Sequence, residues 1–141
     1  MTLRSTLAAA LAAALVAAFA PAGVHAAACG EALGAGVARA VAERFTVAWR
    51  AEPAPISVGR HFALDVETCP RAGAAMPAKL VVDATMPAHR HGMNYAPTVT
   101  AAGPGRWRVE GLLFHMPGRW ELVFASGSGR ADRVAVDVDV R

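Results

Sequence analysis

Histidine and methionine side chains are concentrated in two short segments of this 141-residue chain. The first segment runs from Met86 to Tyr95 (MPAHRHGMNY) and the second from Gly111 to Trp120 (GLLFHMPGRW). Imidazole nitrogen binds copper and zinc, and thioether sulfur selects Cu(I), so together they form a recognisable set of metal ligands. Of the ten His and Met residues in the chain, the two segments hold six: Met86, His89, His91, Met93, His115 and Met116.

The spacing within the first segment favours a shared site. If residues 88 to 93 are extended, His89, His91 and Met93 point to the same side, because side chains alternate along a strand. Three ligands on one short face can hold one ion. We therefore expect these three residues to act together.

The second segment offers His115 and Met116 at the end of a predicted strand, before a Pro-Gly turn. Turns gather at the two ends of a β-sandwich, so this pair can meet the first segment there. Adjacent strand residues point to opposite sides, which leaves Met116 as an additional ligand at most. We expect His115 to complete the set, with Met86 or Met116 as extra ligands.

Each of these residues also has an ordinary structural explanation. Methionine commonly fills gaps where a loop meets the core, and Met86 at a strand end suits that role. His115 can hydrogen-bond to the backbone of a turn. The outlying His61 has no companion ligand, and we expect it to be structural or on the surface. The case for a metal rests on the set, not on any single member.

Copper is the metal that this composition favours. A His/Met set without acidic neighbours disfavours magnesium, calcium and manganese, and thioethers bind zinc poorly. Cu(I) is the expected state, and the histidines also admit Cu(II). The rival interpretation is a metal-free interaction surface that includes Tyr95, since exposed Met and aromatic residues suit adaptable protein interfaces.

Other functions find little support in the sequence. The chain contains no Gly-x-Ser-x-Gly, no P-loop and no dinucleotide-binding fingerprint, and we predict that it is not an enzyme. Its net charge is +3, and the arginines are scattered without a basic run. Nucleic acid is therefore not an expected partner.

The first 26 residues have the composition of a secretory signal peptide. Arg4 supplies the positive charge, Leu7 to Ala20 is an uninterrupted apolar run, and small residues precede a cleavage point after Ala26. Cleavage after Ala20 or Ala22 is an alternative. The apolar run is too short to be a transmembrane helix, so we expect a periplasmic or secreted protein without a stable membrane span.

Export changes the interpretation of the two cysteines. In an oxidising compartment Cys29 and Cys69 can form a disulfide, which closes a loop of about 40 residues and stabilises the fold by roughly 3–4 kcal/mol. A two-thiolate metal site is the weaker alternative, because the chain has no CxxC spacing. A lipid anchor on Cys29 is also weaker, because Ala26 to Ala28 lack the bulky aliphatic residue that usually precedes a lipidated cysteine.

The remaining pattern predicts an all-β domain. Residues 27–44 form an N-terminal segment in which Leu33, Val37 and Val41, four apart, predict a short helix over 31–44. Residues 45–141 alternate apolar and polar side chains between turn signals, which predicts a monomeric immunoglobulin-like β-sandwich of about seven strands. The predicted strands are 45–49, 56–67, 79–86, 97–101, 107–114, 120–124 and 134–140.

Three parts of the sequence resemble the YtkA-like family of exported bacterial domains. They are Met86 to Met93, the strand start Gly105 to Trp107, and Phe114 to Leu122. The likeness covers roughly residues 56 to 124. It implies a small periplasmic β-sandwich that shares features with FixH-type accessory proteins, and hence a respiratory oxidase or a di-haem protein as the partner.

The spacing of the two segments is also similar to that of copper chaperones of the PCuAC class. In those proteins a His or Met and then a Met precede a His-x-Met pair by about 21 residues. Here Met93 and His115 have that spacing, but His115 and Met116 are adjacent, and His89 and His91 lie close to Met93. The likeness implies copper delivery or buffering.

Overall fold

The computed structural model describes residues 27–71 and 73–141, and the predicted signal peptide lies outside them. Within this part of the chain, nine strands form two antiparallel sheets. The strands are β1 (Ala38–Val41), β2 (Phe45–Glu52), β3 (His61–Pro70), β4 (Val81–Met86), β5 (His91–Gly92), β6 (Thr98–Gly103), β7 (Arg106–Leu113), β8 (Gly118–Ala125) and β9 (Arg133–Val140). Short 3-10 turns lie at Glu31–Leu33, Pro87–His89 and Arg130–Asp132.

The two sheets make the β-sandwich that the sequence predicts, and the all-β fold class is confirmed. One sheet has the strand order β1-β2-β3-β7-β6 and the other has the order β5-β4-β8-β9. The core lies between them, and β8 supplies Trp120, Leu122 and Phe124, which are fully buried. These three residues alternate along β8, because the strand turns one face to the core and the other to solvent.

The predicted helix over residues 31–44 is wrong. The structure has a single 3-10 turn at Glu31–Leu33, and β1 then pairs with β2. Gly34 and Gly36 explain the difference, because both adopt positive φ angles, 79° and 76°, which a right-handed helix does not allow. The edge of the larger sheet then offers backbone hydrogen bonds to residues 38–41, which become a strand. The sandwich accordingly begins before residue 45.

Two further differences concern the start of β3 and the presence of β5. The predicted strand over 56–67 begins only at His61, and it continues to Pro70. The short strand β5 was not expected, because Pro and Gly made that segment look irregular. β1 and β5 together raise the number of strands from about seven to nine in the described part of the chain.

The predicted disulfide is confirmed. Cys29 and Cys69 are bonded, with their Cα atoms 5.9 Å apart, across a sequence separation of 40 residues. The bond ties the N-terminal segment to the end of β3. Gly30 allows the close approach, since a Cβ at this position would collide with the side chain of Ala48. No helix in the described ranges is long and apolar enough to cross a membrane.

Candidate metal centre

The first His/Met segment folds as a tight reversal at the end of β4. After Met86 the chain makes the 3-10 turn Pro87–His89, and Arg90 then adopts the left-handed conformation at φ 56°. β5 returns antiparallel to β4, with His91 opposite Met86. The premise that residues 88 to 93 are extended is therefore wrong. The reversal nevertheless brings the rings of His89 and His91 together, with their centroids 5.7 Å apart.

The second segment includes the end of β7, the connection at residues 114–117 and the start of β8. Two hydrogen bonds fix this connection: the Gly59 amide donates to the Phe114 carbonyl at 2.8 Å, and Trp120 Nε1 donates to the Met116 carbonyl at 3.0 Å. His115 lies between these two anchored carbonyls. Its ring centroid is 5.0 Å from that of His91. The structure thus brings His115 to the first segment, which the sequence allowed but did not decide.

The nitrogen atoms of His91 and His115 differ in their hydrogen bonding. His91 Nδ1 lies 3.2 Å from the carbonyl oxygen of Gly92, and this contact requires a proton on Nδ1. In the neutral ring Nε2 of His91 then carries the free lone pair, as in histidines that bind metals. His115 Nδ1 is buried and finds no hydrogen-bond partner within residues 27–71 and 73–141. Within the same ranges, Glu67 Oε2 is the other buried side-chain nitrogen or oxygen atom without a hydrogen-bond partner.

A buried polar atom without a partner costs about 1–3 kcal/mol, so the His115 nitrogen needs an explanation. No ion pair in the described part of the chain involves a histidine. The imidazoles of this cluster are therefore not committed to carboxylates, and a bound cation would satisfy the orphaned nitrogen.

The distances between the rings also fit a shared ion. An imidazole nitrogen binds zinc or copper at about 2.0–2.1 Å, which places the centroids of two rings on one ion roughly 4.5–6.4 Å apart, depending on the bond angle. The distances from His91 to His115 and to His89, 5.0 and 5.7 Å, fall within this range. The described residues contain no group of three or more His, Cys, Asp and Glu arranged to hold a metal. A metal held by His91 and His115 would therefore need a ligand of another kind, such as methionine sulfur.

The methionines divide into two kinds. Met86 is buried at 3% exposure, belongs to the core, and its Cε atom lies against Gly118. It closes the core at the end of β4, which is its ordinary structural role. Met93 and Met116 are half-buried and pack against the edge of the same core. Met116 lies outside β7, so strand alternation does not direct its side chain away from His115.

The rim of the centre is open to solvent. His89 and Arg90 are exposed, and Tyr95 is 66% exposed. An open groove of about 530 Å³ is lined by Tyr95 and by the exposed His61 at the start of β3. His61 is thus a surface residue, as expected, and it takes no part in the cluster of rings.

The contact of Trp120 with the histidine rings was not predicted from the sequence. Trp120 was expected in the core, and it is fully buried, but its ring also contacts His115 and His91 at centroid distances of 5.4 and 5.8 Å. The signal in the sequence is the Pro-Gly turn between His115 and Trp120. This connection crosses from one sheet to the other within a few residues, so residues on its two sides become neighbours.

Comparisons of the chain with protein-family models, with curated proteins and with solved structures give no match. The resemblance to YtkA-like domains and to PCuAC-class chaperones therefore stays a prediction from the motifs.

Proposed function

We propose that this protein binds copper as Cu(I) through the imidazoles of His91 and His115. The sulfur atom of Met93 or Met116 is the third ligand, and His89 is a further imidazole beside them. The observation that carries the proposal is the buried, unpartnered Nδ1 of His115, whose ring lies 5.0 Å from that of His91. A soft cation supplies the missing partner, and the imidazole and thioether groups of the set favour copper over hard cations.

The position of the centre suits delivery or buffering of copper. It lies on connections at one end of the sandwich, and His89 is exposed where an ion would enter or leave. The predicted signal peptide and the disulfide agree with work outside the cytoplasm, in the periplasm or after secretion. From the family resemblance, the recipient is a respiratory oxidase or a di-haem protein. Cu(II) is a second state that the histidines admit.

A competition titration against a Cu(I) chelator tests the proposal. We expect the natural protein to bind one Cu(I), the variants His91→Ala and His115→Ala to bind it at least about tenfold more weakly, and the double variant to lose it. His61→Ala is the matched control, because it removes an exposed imidazole outside the cluster. Natural protein that binds Cu(I) no more tightly than the double variant would show that the proposal is wrong.

A metal-free interaction module is the second candidate, and one observation favours it. Tyr95 is 66% exposed and lines the groove of about 530 Å³ with His61 and Glu110. An exposed aromatic side chain beside a groove is a common anchor in protein interfaces. If a purified oxidase or di-haem protein binds the metal-stripped protein, and His89→Ala with His91→Ala leaves that binding unchanged while Tyr95→Ala weakens it, this function replaces copper binding.

A further inference from the structure

The indole ring of Trp120 contacts one phenylalanine and two histidine rings. Phe114 stacks on the indole ring, with a centroid distance of 4.7 Å and an interplanar angle of 12°. His115 and His91 meet the same indole at steep angles, 77° and 63°. The ring is fully buried, and its one polar atom is already used in the hydrogen bond to the Met116 carbonyl. The indole thus forms an apolar, aromatic wall beside both imidazoles.

Such a wall has a specific attraction for a cation. The π face of tryptophan carries negative charge density, and it attracts cations within about 6 Å of the ring centroid more strongly than the face of tyrosine or phenylalanine does. The attraction is larger when the site is desolvated, as it is for a buried indole. Cu(I) accepts few ligands, so an ion held by two imidazoles and a thioether keeps one side uncovered.

We propose that Trp120 is part of the copper site and that its indole face covers the uncovered side of bound Cu(I) through a cation–π contact. This inference rests on the proposed copper site at His91 and His115. Trp120 has a second effect through its Nε1 hydrogen bond, which holds the connection that carries His115 and Met116. The indole therefore both touches the ion and holds part of the ligand set in place.

The other two tryptophans supply internal controls. Trp49 and Trp107 both lie opposite Val66 of β3, whereas the cluster lies at the end of the sandwich where His61 faces Leu113. Five residues of strand separate Val66 from His61, which is roughly 17 Å along the sheet. Neither Trp49 nor Trp107 is expected to contact the ion.

The first test is spectroscopic. Cu(I) is added to the natural protein and to the variant Trp49→Phe with Trp107→Phe, in which Trp120 is the single indole, while chelator competition measures binding. We expect one equivalent of Cu(I) to quench most of the emission of the double variant and to produce a new near-ultraviolet absorption band. Emission and absorption that stay unchanged while Cu(I) binds would overturn the inference and leave the proposed function intact.

The second test is the affinity of Trp120→Phe, which keeps an aromatic ring against Phe114 but weakens the π attraction and removes the indole N–H. We expect about tenfold weaker Cu(I) binding, with no quenching of the emission that remains from Trp49 and Trp107. Equal Cu(I) affinity in a variant with native circular dichroism would overturn the inference. If this variant does not fold, the spectroscopic test decides alone. If the natural protein binds no Cu(I), the proposed function fails, and the inference fails with it.

Discussion

Two polar regions of this protein differ in whether their hydrogen-bonding groups have partners. On the outer face of the larger sheet, Asp65 accepts hydrogen bonds from Arg108 at 2.8 Å and from Arg50 at 2.9 Å. The bond from Arg108, aided by that from Arg50, holds the pKa of Asp65 below its usual value. At the end of the sandwich, the His91–His115 pair has no carboxylate partner among the ion pairs of the described residues.

Buried polar atoms show the same contrast. The hydroxyl of Thr68, at 1% exposure, donates to the carbonyl of Gly105 at 3.2 Å and accepts from Trp107 Nε1 at 3.0 Å. Its bonding capacity is used within the fold. His115 Nδ1 is equally hidden from solvent but lacks a partner in the described structure.

The difference separates groups that hold the fold together from groups that are free to bind a ligand. A satisfied network resists change, because removing one member leaves the others without partners. An unsatisfied buried nitrogen lowers the stability of the metal-free protein, and a ligand that binds it compensates the loss. We therefore expect substitutions in the two regions to have opposite effects on stability and on metal binding.

The largest expected effect tests whether the region of β3 that the disulfide holds is independent of the region that contains His91 and His115. Replacing both cysteines, Cys29→Ala with Cys69→Ala, removes a crosslink over about 40 residues and should lower the free energy of unfolding by roughly 3–4 kcal/mol. Urea denaturation measures this loss. Cys69 lies at the opposite end of β3 from His61, so Cu(I) affinity of the folded variant should be unchanged. Weaker copper binding in the folded variant would show that the regions are coupled.

A smaller loss is expected from the satisfied network. Thr68→Val keeps the shape of the side chain but leaves the indole N–H of Trp107 without its acceptor, which should cost about 1–2 kcal/mol. Thermal unfolding monitored by circular dichroism measures the change. A useful control is Thr100→Val on β6, where the side chain is exposed and the expected change is small. Equal effects at the two threonines would contradict the role of the Thr68 hydroxyl.

The smallest expected effect has the opposite sign. His115→Phe keeps an aromatic ring beside His91 and Trp120 but removes the orphaned nitrogen, so the metal-free protein should gain about 1 kcal/mol in stability. His61→Phe, on the exposed start of β3, should change stability by less than about 0.5 kcal/mol. Denaturant titration of the stripped proteins compares the two variants with the natural chain.

Copper should reverse the order of stability of His115→Phe and the natural protein. A ligand that binds only the folded state stabilises it in proportion to the logarithm of its concentration over Kd. With excess Cu(I) the natural protein should therefore become more stable than His115→Phe, whose melting temperature should stay nearly constant. His115→Phe could be more stable than the natural protein both without and with Cu(I). That result would show that the His115 nitrogen is unsatisfied but does not bind copper.

Much of the fold was readable because its signals are local. Alternation of apolar and polar residues specifies which face of a strand is buried, and Trp120, Leu122 and Phe124 in β8 show this directly. The helix predicted for residues 31–44 failed because the periodicity of Leu33, Val37 and Val41 competes with two glycines and with an open sheet edge. Only pairing with β2 decides that competition, and pairing is not a local property.

The sequence by itself determined which side chains are available as ligands in the candidate site. It concentrated imidazoles and thioethers in two segments, and its two cysteines permitted a single intramolecular pair. The tertiary structure decided which of these side chains lie close to one another. It formed the reversal at Arg90, brought His115 to His91, directed Met86 into the core and inserted Trp120 beside the imidazoles. The buried Met86 was expected from its place at a strand end. Strand periodicity cannot predict the other outcomes, because turns do not follow a period of two and their side chains are placed by packing against distant parts of the chain.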